Sequence, residues 1–183
     1  MDVSEAIQLR RAYRSLDPVE ITPELIEKLG TAAHLTPSCF NKQPWRFVFV
    51  YDPEQLDALH PALSKGNEWV FKASLIIVVC SKLDRDCVVK EREYHLFDVG
   101  MSVGLIMLQA TELGLVAHPI AGFDSRLIKE VLGIPEDETL ITIVNCGVRS
   151  EAVDPALSDW QKEAEVQRPP RLPLEELVRH NHW

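Results

Sequence analysis

Glycine is scarce in this chain, 8 of 183 residues, and none of it falls into a phosphate-cradling pattern. There is no G-x-x-x-x-G-K-S/T loop, no G-x-G-x-x-G behind a strand, no H-E-x-x-H and no G-x-S-x-G. Those absences exclude the glycine-loop nucleotide sites, the helix-borne zinc proteases and the α/β-hydrolase nucleophile. Any phosphate bound here has to be held by side chains. Positive charge is also short. With 19 Lys and Arg against 28 Asp and Glu the net charge is −9, which argues against nucleic acid as the main partner. The four cysteines, Cys39, Cys80, Cys87 and Cys146, show no C-x-x-C or other metal-type spacing. The six histidines are scattered and suggest no metal site. Long apolar runs are missing too. The most apolar stretch, Val99 to Leu108, is broken by Ser102 and bounded by Asp98 and Glu112, well short of the ~18 residues a membrane span needs. No apolar leader is visible, so a soluble, cytoplasmic protein with reduced thiols is the expectation.

What the chain does have is core. At 46% apolar residues it can fill one domain. Residues 2–13 read as an amphipathic helix. Thr22-Pro23-Glu24 starts a second helix, with Thr22 as N-cap and Pro23 in the first turn, that ends before Pro37. Strands are expected at Arg46–Tyr51, Ser74–Cys80, Leu115–Ile120 and Thr139–Val148. The second and last are continuous and β-branched, as central strands buried on both faces are. Helices are expected over Pro53–Leu63, Glu91–Leu113 with Gly114 behind it, and from a cap at Asp124 or Ser125 to Leu132 with Gly133 as the stop. Gly100 and Gly104 make a small face on the long helix that would allow close packing. From Arg149 onward, prolines and charges describe an extended arm with a short helix at Leu174–His180, lying across the domain or across a second subunit. Strands and helices alternate without a clean βαβ repeat, so the fold class is α+β, a mixed β-sheet flanked by helices.

Against the acidic background two groups of arginine stand out: Arg10, Arg11 and Arg14, and Arg168 and Arg171 in a Pro-rich run. Guanidinium suits phosphate, because its planar fork binds two oxygens at once. Arg10 and Arg14 are four apart, so on a helix or its last turn they share a face. On spacing alone that face is as readily a solvated one paired with Asp17 or Glu5. The segment Thr36-Pro37-Ser38-Cys39-Phe40-Asn41-Lys42-Gln43-Pro44-Trp45 offers donors and acceptors fit for the edge of a heterocycle, or simply a polar turn before a strand. Cys39 has no identifiable base beside it, so nothing marks it as a nucleophile.

Five segments in order resemble the FMN-dependent nitroreductase family over nearly the whole chain: Arg10-Arg11-Ala12-Tyr13-Arg14; Thr36 to Trp45; Gly66-Asn67-Glu68-Trp69 ahead of Ala73–Val78; Pro119-Ile120-Ala121-Gly122-Phe123-Asp124; and Arg171-Leu172-Pro173-Leu174-Glu175-Glu176-Leu177-Val178. The resemblance implies a homodimer with FMN at the subunit interface. Residues 1–150 would form the flavin-binding body, and 151–183 an arm of the same domain that embraces the partner. It implies that Arg10, Arg11 and Arg14, with Ala12 among them, hold the phosphate and flank the flavin. Pro37, Ser38, Cys39 and Asn41 would reach the flavin from the other subunit, and Asn67 falls in a flavin-contact region. Pro119, Ile120, Ala121 and Gly122 would lie along the reactive ring edge, and Arg171 would add a terminal phosphate contact, with Arg168 one residue out of register.

Ala12 replaces a common serine, Cys39 a common serine or alanine, and Ala121 a glutamate found in some members. The activity implied is ping-pong transfer from NADH or NADPH through FMN to a nitroaromatic, a quinone or a similar electron-poor small molecule. In that scheme Arg14, backed by Lys42, steadies the reduced flavin. Two other readings stay open: a specialised flavin enzyme of the dehalogenating or flavin-cleaving type, with Lys82–Arg92 as the one insertion that could form a lid, and a flavin-binding module without turnover.

Overall fold

The computed structural model describes residues 1–183. Its strands are β1 (Leu16–Asp17), β2 (Arg46–Val50), β3 (Leu75–Ser81), β4 (Val88–Val89), β5 (Arg92–Glu93), β6 (Leu115–Ile120) and β7 (Thr139–Arg149). Its α-helices are α1 (Val3–Leu9), α2 (Pro23–His34), α3 (Pro53–Leu59), α4 (Tyr94–Glu112), α5 (Ser125–Leu132), α6 (Asp159–Val166) and α7 (Leu174–Leu177).

The main sheet is organised around β7. It pairs with β6 along one edge and with β3 along the other, and β2 closes the far side of β3. β1 continues the line of β3, so Val148 faces Leu115 on one side and Asp17 on the other. Every pairing is antiparallel. All residues of β3 are buried, as its unbroken apolar run requires. Alternation along it divides the core in two. Ile76, Val78 and Cys80 face Leu59, Trp69, Ile128 and Leu157, whereas Leu75, Ile77 and Val79 face Leu29, Ala33, Val99, Val103 and Ile106. The result is a sheet between two helical layers, α2 with α4 on one face and α3 with α5 on the other. At about 1.5–3 kcal/mol for each fully buried Ile or Val, the β3 side chains are a major part of what holds the layers together.

The caps were readable. Thr22 Oγ1 accepts from Leu25 N at 3.2 Å, and Asp124 Oδ1 accepts from Arg126 N at 2.9 Å and Leu127 N at 3.1 Å. Gly114 and Gly133 take positive φ of 77° and 65° behind their helices.

Several expectations are corrected. α1 stops at Leu9 rather than running to 13, because Arg10 leaves the helix at φ −54°, ψ 119°. The helix expected from Glu91 begins at Tyr94. Residues before it fold back as the β4–β5 hairpin, turning at Lys90 with φ 58°. The helix expected over Pro53–Leu63 ends at Leu59 and tightens into a 3₁₀ turn over His60–Ala62. Gly100 and Gly104 pack against nothing in this chain, since a Cβ at either would meet open space. The segment after Arg149 is not simply extended. α6 forms within it, and Asp154, Leu157, Gln161 and Glu165 are buried against the body of the same chain. Farther on, α7 covers Leu174–Leu177 only, not Leu174–His180.

Candidate functional site

Past α1 the chain runs irregularly through Arg10–Arg14, and α6 lies against it. Glu165, only 3% exposed, makes the joint: its Oε1 accepts from Arg14 N at 2.8 Å and its Oε2 from Ser15 N at 3.0 Å. Ser15 Oγ in turn accepts from Asp154 N at 3.0 Å. Arg11 donates to Ala164 O at 2.6 Å, a cation at the carbonyl end of α6, where the helix dipole favours it. Arg168 donates to Gln8 O and to Arg10 O, the latter at 3.0 Å.

Between these elements lies a cavity of about 460 Å³ whose lining includes Arg10, Arg11, Ala12, Arg14, Trp160, Glu163, Arg168 and Arg171. Six sequence-predicted residues thus meet in one place, and Arg168 stands beside Arg171 in it. Arg10 and Arg14 do not share a helix face; the closure of α6 over a non-helical segment brings them together. None of the five arginines makes an ion pair with a carboxylate. Burial, then the like charges of Arg168 and Arg171, lower the pKa of Arg10; burial lowers that of Arg14, and Glu165 works against it. Guanidinium groups crowded in this way, none of them ion-paired to a carboxylate, favour an anion.

A second cavity, about 550 Å³, shares Arg14 and Trp160 with the first and reaches Lys65, Asn67, His118 and Ile120. Asn67 Nδ2 donates to Gly122 O at 3.0 Å, which ties two predicted segments together. A Cβ on Gly122 would come within 2.4 Å of that same nitrogen, so a side chain there would displace the Asn67 amide. Pro119 and Ile120 sit at the end of β6 opposite Val144 and Ile143, and Ala121 follows, exposed.

Pro37, Ser38, Cys39 and Asn41 line neither cavity. They form a turn of their own, with Ser38 Oγ accepting from Gln43 N at 2.9 Å and Cys39 N donating to Asp98 Oδ2 at 2.7 Å. Phe40, Asn41 and Gln43 adopt positive φ of 47°, 56° and 50°, unusual for non-glycine residues. Lys42 belongs to this turn and lines neither cavity of its own chain. Lys65 is the lysine that shares a cavity with Arg14.

Sequence reasoning missed Trp160, Glu165, Lys65 and His118. Ser158-x-x-Gln161 was the available signal for the first two: it forms a capping box that starts α6. Trp160 then lies under the Arg14 guanidinium, 4.8 Å from Cζ to ring centroid. His118 stacks on Trp69 at 4.7 Å, with its Nδ1 3.0 Å from Tyr13 O. Burial pushes its pKa down to about 4, with the Tyr13 carbonyl opposing. The buried ring is therefore neutral, while the unfolded chain takes up a proton below about pH 6.5. Stability should fall as pH drops from about 6.5 toward 4, by about 3 kcal/mol. Asp98, whose pKa burial raises, works in the opposite direction. Urea titrations across this range should show that slope in the wild type and its loss in His118→Phe; an equal slope in both would refute the assignment.

The Nitroreductase family model matches residues 7–69 and 62–148. A putative NADH dehydrogenase/NAD(P)H nitroreductase from Archaeoglobus fulgidus is 31% identical over 81% of this chain and 86% of its own length. An iodotyrosine deiodinase from Haliscomenobacter hydrossis is 27% identical over 85% of this chain and 83% of its own. Among solved structures, an oxidoreductase described as containing FMN superposes with TM-score 0.85 at 28% identity, over 100% of this chain and 93% of that one. With the match running through the arginine segment, the sheet and the long helix, the chain belongs to the nitroreductase family.

Proposed function

We propose that the protein is an FMN-dependent NAD(P)H oxidoreductase that works as a homodimer and passes electrons to a nitroaromatic, a quinone or a similar electron-poor small molecule. The observation that carries the reading is the set of arginines around one cavity with no carboxylate partner. Arg10, Arg14 and Arg171 have no side-chain hydrogen bond to the chain itself, which leaves their donors for the phosphate; Arg11 and Arg168 spend theirs on backbone carbonyls and hold the walls. Asn67, Ile120 and Gly122 place an amide, an apolar side chain and a backbone segment along the adjoining cavity, as a flat ring system with one polar edge would need.

FMN, when bound, supplies the hydride chemistry. The chain supplies position and charge. Arg14 and Lys65 put positive potential in the ring cavity, where it favours an anionic ligand. His118, kept neutral by burial, adds no charge there and offers no proton near neutral pH. No acid or base of the protein is required.

The dimer reading draws on the surface of α4. Leu96 and Phe97 are 49% and 60% exposed, and the Pro37–Asn41 turn is bonded to the same helix through Asp98. A turn that reaches neither cavity of its own chain suits one that serves its partner's. We read residues 151–183 as part of the same domain, since Glu165 and Asp154 are bonded to Arg14 and Ser15 of the body.

The test is the absorption spectrum of the purified protein, followed by anaerobic additions of NADH and NADPH. A flavin band that bleaches with either donor is expected. Absence of a bound flavin together with no uptake of added FMN would end the proposal, and bound FMN that neither nicotinamide reduces would favour a module without turnover. The deiodinase likeness supports a second reading, reductive dehalogenation of one metabolite. Brisk turnover of several unrelated acceptors would decide against it.

A further inference from the structure

Near the start of α4, away from both cavities, Cys39, Asp86 and Cys87 each bring one potential ligand atom to within 4.8 Å of the other two. They come from two separate stretches, Cys39 from the Pro37–Asn41 turn and the adjacent Asp86 and Cys87 from the connection leading into β4, and all are half-buried. The arrangement is braced from behind. Asp98, 1% exposed, accepts from Cys39 N at 2.7 Å; Cys87 N donates to Asp86 Oδ1 at 2.7 Å, and Tyr94 N to Cys87 O at 3.0 Å. Asp86 Oδ2 is buried and has no hydrogen-bond partner. No lysine or arginine pairs with Asp86 or Asp98. Two thiols and two carboxyl groups are thus gathered without a cation from the chain, and a buried oxygen is left unanswered.

We propose that Cys39, Cys87 and Asp86 form a binding site for a borderline-soft divalent cation of the zinc type, with Asp98 as the positioning residue behind it. Mixed sulfur and oxygen donors suit zinc. At bond lengths of about 2.0–2.3 Å, tetrahedral ligands lie roughly 3.3–3.8 Å apart, inside the span these atoms already occupy. Three protein ligands leave the fourth position to solvent. Binding displaces both thiol protons, so each zinc ion taken up releases up to two protons. A Cys39–Cys87 disulfide is the rival use of the pair. It would need an external oxidant, and it would leave Asp86 Oδ2 unpartnered, whereas a cation answers that oxygen as well as the thiols.

The site is independent of the flavin reading except at Cys39, so the test rests on Cys87 and Asp86. Full-length protein, purified under reductant and treated with chelator, is equilibrated with Zn²⁺ or Co²⁺ and passed through a desalting column. The expected result is one zinc retained per chain, with cobalt giving tetrahedral d–d absorption in the red, clear of any flavin band. Cys87→Ser and Asp86→Asn should each lower zinc affinity at least about tenfold, with flavin content and far-ultraviolet dichroism unchanged. Arg10→Ala/Arg171→Ala should still bind zinc, which separates failure of this site from failure of the flavin site. Wild-type protein that retains no zinc, or zinc affinity indifferent to both Cys87→Ser and Asp86→Asn, overturns the proposal.

Discussion

Replacing Arg10 and Arg171 together by alanine is expected to weaken FMN binding by about 3–6 kcal/mol, two to four orders of magnitude in Kd. The figure follows from two charge-assisted contacts at about 1.5–3 kcal/mol each. Both residues line the same cavity, and neither side chain is bonded within the chain, so the substitutions remove donors without dismantling a wall. Removing Arg171 also relieves Arg10 of a like-charged neighbour, so the single variants should not sum to the double. Arg11→Ala should behave differently, because Arg11 is bonded to the end of α6 and its loss falls partly on folding. Fluorescence titration with FMN, and in parallel with riboflavin, separates the phosphate from the ring. The double variant should lose FMN affinity while its riboflavin affinity stays within about threefold of the wild type. Equal FMN affinity in variant and wild type would show that the phosphate is misplaced.

How much of this was legible in the chain depends on the range of the interaction. The β-branched runs of β3 and β7 specified buried central strands, and Thr22, Asp124, Gly114 and Gly133 specified helix ends, because both signals lie within a few residues of what they determine. α1 was read four residues too long. Arg10 and Arg14 continue a helical spacing, but the backbone leaves the helix at Arg10, where Arg168 reaches its carbonyl from 158 residues away. α6 was missed because the surrounding prolines outweighed a capping box that was there to be seen. The arginine groups stand out as charge on an acidic chain and line one cavity, but helix spacing is not the reason they meet. What joins them is Glu165 bonding to residues 150 and 151 positions away, and nothing local in sequence announces such a contact. For the same reason nothing local announced Lys65, which lines the second cavity, whereas Trp160 had the capping box two residues ahead of it as a signal. The flavin expectation therefore came from the order of five segments, while their placement came from packing.

Glu165→Ala is the sharpest way to separate packing from charge. The carboxylate is buried and accepts from two backbone N–H groups, so its removal leaves both without a partner. At about 1–3 kcal/mol for each stranded group, the expected loss of folding stability is about 2–6 kcal/mol, a large share of the 5–15 kcal/mol typical of a domain. Glu165→Gln keeps one acceptor oxygen and should lose roughly half as much. Because Glu165 holds the Arg14 segment against α6, the alanine variant should also bind FMN more weakly although the residue need not touch the ligand. Linkage makes this visible. A ligand that binds only the folded state adds RT ln(1 + [L]/Kd), so the same FMN concentration should raise Tm less in the variant than in the wild type. A variant within about 1 kcal/mol of wild-type stability in urea would show that α6 is held by other contacts. A destabilised variant with undiminished FMN affinity would show that the arginines find their places without it.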